Sequence, residues 1–294
     1  MARSSGIQIS ASIVVFKNPP AQLQAAVQSV QSAMSNVAVT VLDNSPSDDL
    51  RAVAEGCGAD YRFIGDNLGF GKAHNFAIRK YLPVSQYHLV LNPDVRFHGE
   101  VLDTLSHFMD INPKVGLVMP KVLYPDSSEQ HLCKLVPDPV DLLARRFLPR
   151  WLVRKRLSRY TMEGVDFGIP RFVPVLSGCF MFLRMSVLRR VGAFDERYFM
   201  YLEDVDLCRR IATVSDTVFF PDVAIQHEYG KGSYLSWRLL HYHLRSAWRY
   251  FRKWGWLMDS ERDRLNHKAF ENNIVYQNSS EFGSSSIQRK ALGR

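Results

Sequence analysis

Nowhere in the 294 residues do apolar side chains run uninterrupted for the ~18 positions that a bilayer-crossing helix needs. The longest candidate, 172–183, is too short and contains Pro174, so the chain is expected not to span a membrane. The first ten residues hold one arginine and no apolar block, unlike a secretory signal, which predicts a cytoplasmic protein. Cysteine is also scarce. Cys57, Cys133, Cys179 and Cys208 lie far apart with no C-x-x-C pair, which argues against a zinc ribbon or a disulfide-stapled miniature fold. They fit reduced thiols of a cytosolic core. No recognisable nucleic-acid-binding module is present either.

An apolar content of 46% is enough to bury a substantial core, so one large domain, alone or with an appendage, is expected. The net charge of +8 suits a partner rich in phosphate: nucleic acid, anionic lipid or a phosphorylated substrate.

From 7 to about 118, short β-branched runs alternate with helical periodicity, the pattern of βαβ units around a parallel sheet. Strands are predicted at 9–16, 37–43, 61–64 and 88–91, and helices at 23–34, 48–56 and 71–81. The stretch 124–170 loses the alternation and reads as an irregular insertion with some helix. A second ordered block covers 172–227, followed by basic, aromatic and helical sequence to about 270. Residues 271–294 are polar and serine-rich.

Five short constellations carry chemically capable side chains, and each also has a plain structural explanation. Asp43 of Leu42-Asp43-Asn44-Ser45 ends a predicted strand, where open α/β sheets bind ligands, although Asp, Asn and Ser are common turn formers. The loop Asn67-Leu68-Gly69-Phe70-Gly71-Lys72-Ala73-His74-Asn75 opens a helix, so its amides and Lys72 could face a diphosphate, or it is simply a helix start. In Asn92-Pro93-Asp94, side chains two residues apart on an extended segment share a side and could reach one divalent cation; an Asn-Pro-Asp turn would look the same. Glu203, Asp204 and Asp206 crowd the start of a predicted helix, as catalytic groups, as acidic capping, or as an i,i+4 pair of Asp206 with Arg210. His227 closes a β-like run, as a metal ligand or a structural histidine.

Taken in order, these motifs resemble the inverting glycosyltransferases of family 2, and especially their bacterial rhamnosyltransferase branch. The resemblance covers about 9–255 and rests on Ser12-Ile13-Val14-Val15-Phe16, the Asp43, Asn67–Asn75 and Asn92–Asp94 motifs, Ser177-Gly178-Cys179-Phe180 before Val191-Gly192-Ala193-Phe194-Asp195, and the run from Glu203 to Arg209. It implies an α/β GT-A fold with a Rossmann-like nucleotide-binding half and a mixed central sheet. The expected catalytic domain is 1–235, with a nucleotide half at about 7–120 and an acceptor half at about 121–235. A helical membrane-proximal segment at 236–270 and the polar tail at 271–294 follow.

The resemblance also implies roles. Val15, Asp43, Asn67, Gly69, Phe70, Lys72, Asn75 and Asn92 border the nucleotide-sugar donor. Asp94, with His227, holds Mg²⁺ or Mn²⁺; Asn92 stands where the family's D-x-D element has its first aspartate, a form that rhamnosyltransferase-like members share. Asp204 matches the catalytic base, and Glu203 and Asp206 orient it or hold loops through Arg209 and Arg210. The implied donor is dTDP-rhamnose, with a UDP-hexose or UDP-N-acetylhexosamine as the rival, and the implied acceptor is a lipid-linked saccharide or an oligosaccharide. A non-catalytic basic protein that binds membrane or nucleic acid is the reading from another class.

Location has its own signal. Between 142 and 160 stand seven Arg or Lys residues and no acid, interleaved with Leu142, Leu143, Phe147, Leu148, Trp151, Leu152 and Val153; 237–256 repeats the theme with Arg245, Arg249, Arg252 and Lys253. Such segments suit docking on the inner face of an anionic membrane, or amphipathic helices packed on a core.

Overall fold

The computed structural model describes residues 6–142, 149–228, 237–271 and 275–277. The first strands are β1 (Ile9–Val15), β2 (Val37–Asp43), β3 (Asp60–Phe63) and β4 (Tyr87–Leu91). They alternate with α1 (Pro20–Gln31), α2 (Arg51–Gly56) and α3 (Phe70–Tyr81). Then follow β5 (Val95–Arg96), α4 (Glu100–Ile111), β6 (Val115–Leu123), α5 (Arg150–Tyr160), β7 (Arg171–Phe172), β8 (Phe180–Arg184) and α6 (Met185–Val191). The chain continues through α7 (Glu203–Ala212), β9 (Asp216–His227), α8 (Trp237–Trp254) and α9 (Ser260–Lys268).

The strands form one mixed sheet in the order β3-β2-β1-β4-β8-β6-β9-β5, with β7 also on β9. β1 to β4 pair in parallel, as the βαβ pattern predicts. β8 runs antiparallel to β4 and β6 on either side of it, and β6 and β9 are parallel. The carboxyl ends of β1, β2 and β4 therefore meet the amino end of β8, which is where the site lies. The boundary expected near 120 falls inside β6, and strands from both sides of it interleave in one continuous sheet, with β8 between β4 and β6 and β5 at the far edge beside β9.

β1 is buried except at the half-buried Val14, and the buried positions include Ser10 and Ser12. These hydroxyls belong to a polar thread through the core: Ser12 Oγ lies 2.7 Å from His74 Nδ1 and 2.9 Å from His88 Nε2, and Ser10 Oγ lies 2.7 Å from His88 Nδ1. Burial pushes both histidines well down from their ordinary range, so they are neutral. The thread ties α3 to β1 and β4 at a fixed height.

The segment from 237 onward is fastened to the body that carries the sheet. Tyr250, Phe251, Leu265 and Ala269 belong to the same apolar core as the sheet. Arg209 of α7, almost fully buried, forms a fork on Asp259 and lies over the Trp254 ring at 4.1 Å. In the 124–170 stretch, a helix forms over Arg150–Tyr160; Leu143, Arg145, Arg146, Phe147 and Leu148 of the basic run, like Gly230, Gly232 and nearly all of the polar tail, lie outside the described residues.

Candidate active site

The first corner is built from strand ends. Val15 pairs with Asp43 across β1 and β2, and the Val15 carbonyl accepts the Asn44 N–H at 2.9 Å. Asp43 is completely buried; its carboxylate accepts the Tyr61 hydroxyl at 2.6 Å and the Ser45 N–H at 2.8 Å. Asp43 thus shapes the corner through Tyr61 and presents no exposed surface of its own. Asn44 reaches across to the Gly69 carbonyl at 3.2 Å, and its buried Oδ1 has no hydrogen-bond partner. Sequence reasoning placed Asn44 only as a neighbour of Asp43.

The glycine loop is pinned rather than open. Gly69 sits at φ +82 and donates its N–H to Asn67 Oδ1 at 3.0 Å, while Phe70 N–H donates to the Phe199 carbonyl at 3.1 Å. Two amides expected to face a diphosphate are therefore satisfied within the protein, because the 195–202 loop packs directly onto the helix start. A Cβ at Gly69 would stand 2.0 Å from the Phe199 oxygen. Gly69→Ala is expected to strain the loop by at least ~1–3 kcal/mol, lowering the melting temperature and weakening nucleoside-diphosphate binding in calorimetry. Asn75 is likewise a latch. Its amide pairs with both backbone groups of Phe194 at 2.9 and 3.0 Å and with Glu196 at 3.1 Å, so it holds the loop and does not line the corner. Lys72 is half-buried in a cleft beside Asn67.

The second corner joins β4, β5 and β9. Val95 pairs with His227, and Glu228 N–H donates to the Asp94 carbonyl at 2.9 Å. This register sets His227 Nε2 3.3 Å from Asp94 Oδ1, an oxygen that is buried and has no aligned hydrogen-bond donor. Gln130, which the sequence gave no reason to single out, grips the histidine from behind: its Oε1 lies 3.0 Å from His227 Nδ1, and its amide donates to the His227 carbonyl at 2.8 Å. Pairing Nδ1 with a carbonyl oxygen selects the tautomer that leaves Nε2 as a lone-pair donor toward Asp94.

The third corner is the start of α7. Tyr201 and Leu202 both have positive φ, +70 and +66, a rare pair of left-handed non-glycine residues that turns the chain sharply into the helix. Asp204 accepts the Gly178 N–H at 3.2 Å through Oδ2 and the Val205 N–H at 2.8 Å through Oδ1. Glu203 is buried with Oε2 unpartnered. Burial, then the adjacent Asp204 carboxylate, pushes the Glu203 carboxyl up to about 8.

A raised acid is protonated in the folded state and ionised in the unfolded chain, so stability falls as pH climbs from the ordinary glutamate range toward 8. The buried histidines act only below their ordinary pKa near 6.5. Between pH 6.5 and 8 the melting temperature is therefore expected to decline in the parent and to stay flatter in Glu203→Gln.

The Ser177–Cys179 turn joins these corners. Asn92 N–H donates to the Cys179 carbonyl at 2.9 Å, one residue from the Gly178 amide that binds Asp204. The buried Cys179 thiol, pushed up to about 12 chiefly by burial, also feels both the Asp94 and the Asp204 carboxylates. Asn92, two residues before Asp94, and Asp204 thus bind adjacent residues of one dipeptide although they are far apart in the sequence. Glu203 and Asp206 separate in role: Asp206 binds Arg210 at 2.9 Å, Trp254 Nε1 at 2.8 Å and Lys253 at 2.7 Å. Arg210 in turn donates to the carbonyls of Val191, Gly192 and Ala193. Arg209 departs from expectation, since it pairs with Asp259 rather than with Glu203 or Asp206.

A mixed sheet with this order, bearing acidic groups at the carboxyl ends of its parallel strands, is the GT-A fold. Among solved structures, the chain superposes on a mannosyltransferase from Pyrobaculum calidifontis in complex with GDP-Man and Mn²⁺ with a TM-score of 0.57, 14% identity and coverage of 98% of this chain and 76% of that one. It also superposes on GalNAc-T7 with UDP, GalNAc and Mn²⁺ at a TM-score of 0.62, 13% identity and coverage of 98% and 55%. The glycosyl transferase family 2 model matches residues 12–192, and the chain belongs to that family. Its relatives include the N-acetylglucosaminyl-diphospho-decaprenol L-rhamnosyltransferase of Mycobacterium tuberculosis, 29% identical over 73% of this chain and 74% of the relative. Another is rhamnosyltransferase WbbL of Escherichia coli, 27% identical over 77% and 86%. The chain is a glycosyltransferase.

Proposed function

We propose that the protein transfers L-rhamnose from dTDP-rhamnose, with inversion, to a hydroxyl of a lipid-linked saccharide in cell-surface polysaccharide assembly such as that of O-antigen. The observation that carries this reading is that the Asn92–Asp94 strand end and Asp204 are joined through adjacent residues of the Gly178–Cys179 turn; the names of the two rhamnosyltransferase relatives support the sugar and the lipid carrier.

In this reaction the acceptor oxygen attacks the anomeric carbon on the face opposite the diphosphate. Asp204 takes the hydroxyl proton, the new glycosidic bond forms, and the bond from carbon to diphosphate oxygen breaks with its electron pair leaving on the nucleotide. One displacement inverts the centre and needs no covalent enzyme intermediate. Protonated Glu203 keeps a second negative charge away from the base. Val15, Asp43, Asn67, Gly69, Phe70 and Asn92 form the wall of the donor corner, Asn75 holding it from behind.

The unpartnered Asp94 oxygen and the His227 imidazole suit Mg²⁺ or Mn²⁺, whose remaining ligands would be phosphate oxygens and water. Such an ion, when bound, neutralises charge that develops on the leaving diphosphate.

No described helix is long and apolar enough to cross a membrane. Trp151 and Leu152 are exposed beside Arg154, Lys155 and Arg159 on α5, and Trp237, Leu257 and Met258 are exposed in and after α8. These suit peripheral docking on the cytoplasmic face of an anionic membrane. Sedimentation with anionic vesicles at low salt is the expected result, reduced in Trp151→Asp/Leu152→Asp; equal sedimentation of both proteins would reject this surface.

The decisive assay offers dTDP-rhamnose, UDP-hexose and UDP-N-acetylhexosamine with a synthetic lipid-diphosphate saccharide, and identifies the product. Transfer of rhamnose with inversion is expected. Transfer from a UDP sugar alone would replace the donor, and no transfer from any donor would reject the reading.

A further inference from the structure

Four basic residues of α8, from Arg245 onward, divide into two groups. Lys253 is bound by Asp195 and Asp206, and the Arg252 guanidinium lies over the Trp248 ring. Arg245 and Arg249 instead line a cleft of about 380 Å³ whose walls also include Asn67, Lys72, Phe199 and Tyr242. The cleft thus runs between the donor loop and the C-terminal helix.

Its charge is one-sided. Glu196, the acid on its lining, is already bound by Asn75 and Arg79, and Arg197 forks onto both oxygens of Asp195. Lys72, Arg245 and Arg249 have no carboxylate within ion-pair distance among the described residues. Burial, then Arg245 and Arg197 nearby, pushes Arg249 down from its ordinary value, more than the Asp195 carboxylate, already forked by Arg197, draws it up. Concentrating like charge in a recess costs folding energy and raises the local concentration of anions. The Phe199 and Tyr242 rings, with centroids 4.6 Å apart, add an apolar flank.

We propose that this cleft binds a diphosphate group, held by Lys72, Arg245 and Arg249. Two substrates of the proposed reaction carry one, the nucleotide donor and the lipid-linked acceptor; the inference deepens the transferase reading and relies on it only for which diphosphate arrives. Guanidinium groups grip phosphate oxygens through paired donors, whereas the Asp94–His227 corner is suited to a cation.

The test is calorimetric titration of the full chain with inorganic pyrophosphate, farnesyl diphosphate and dTDP plus Mn²⁺. The parent is compared with Arg245→Gln/Arg249→Gln, Arg245→Lys/Arg249→Lys and, from the opposite wall, Lys72→Gln. Losing charge-assisted bonds is expected to weaken pyrophosphate and at least one organic diphosphate by about tenfold or more, with the lysine variant intermediate. Weakening of farnesyl diphosphate alone assigns the cleft to the acceptor, and weakening of dTDP alone assigns it to the donor. Lys72→Gln keeps the test alive should the α8 variant fail to fold. Unchanged affinity for all three ligands in every folded variant would overturn the proposal. Sugar transfer by the parent preparation is measured alongside. Transfer with unchanged binding in the variants removes the cleft and leaves the transferase; weakened binding without transfer from any donor does the reverse.

Discussion

Asp204→Asn is expected to lose roughly 10²–10⁴-fold in kcat while retaining dTDP affinity close to that of the parent. The Gly178 and Val205 N–H groups bind separate oxygens of Asp204, so the amide oxygen of asparagine can still accept one of them; one anchor of the loop survives while the proton acceptor is removed. The parallel variant Glu203→Gln should keep most of its activity at neutral pH, because a neutral amide replaces a carboxyl that burial and Asp204 already keep protonated. Steady-state kinetics beside dTDP calorimetry separate the two. A full-rate Asp204→Asn enzyme would move the base elsewhere, and an equal loss in Glu203→Gln would make the two carboxyls one functional unit.

Arg209→Met should destabilise the protein by about 3–5 kcal/mol, because it strips a buried charge of its partner. The Arg209 and Asp259 side chains are 1% and 4% exposed, and Arg209 also donates to the Tyr250 hydroxyl at 3.2 Å. Left alone, Asp259 loses both guanidinium bonds and keeps only the Arg262 amide, 3.0 Å away, that makes it the N-cap of α9. The double variant Arg209→Met/Asp259→Leu should recover part of the loss, since an apolar pair avoids desolvating two charges, although the cap is then missing. Denaturant unfolding of the three proteins gives the energies directly. A loss below about 1 kcal/mol in Arg209→Met would mean that water reaches the pair, as at exposed ion pairs.

The parallel half of the sheet was legible because its signals are local. Val37–Asp43 is a β-branched run that ends in turn formers, and it forms over those very residues. The start of α7 at Glu203 could also be read from its acids and the arginines that follow. β5 escaped notice because two residues carry no period, and it exists only because β9 pairs with it. Asn75 looked like a ligand because its motif neighbours a donor loop, but the residue it binds, Phe194, lies 119 positions away. Gln130 was invisible for the same reason: an isolated glutamine in irregular sequence says nothing until β9 brings His227 to it. The basic run of α8 suggested a membrane, yet sequence alone could not show that Lys253 turns inward to Asp195 and Asp206 while Arg245 and Arg249 open onto a recess.

The backbone contact at Gly69 has a mechanical consequence. With no side chain between them, the donor loop and the Phe199 carbonyl touch directly, and the chain runs from Phe199 through two left-handed residues to Asp204 within five positions. The turn at Gly69 and the start of α7 are therefore joined through the 199–204 loop. Any substitution that pushes the Gly69 turn off the Phe199 carbonyl is therefore expected to disturb the entry into α7 as well.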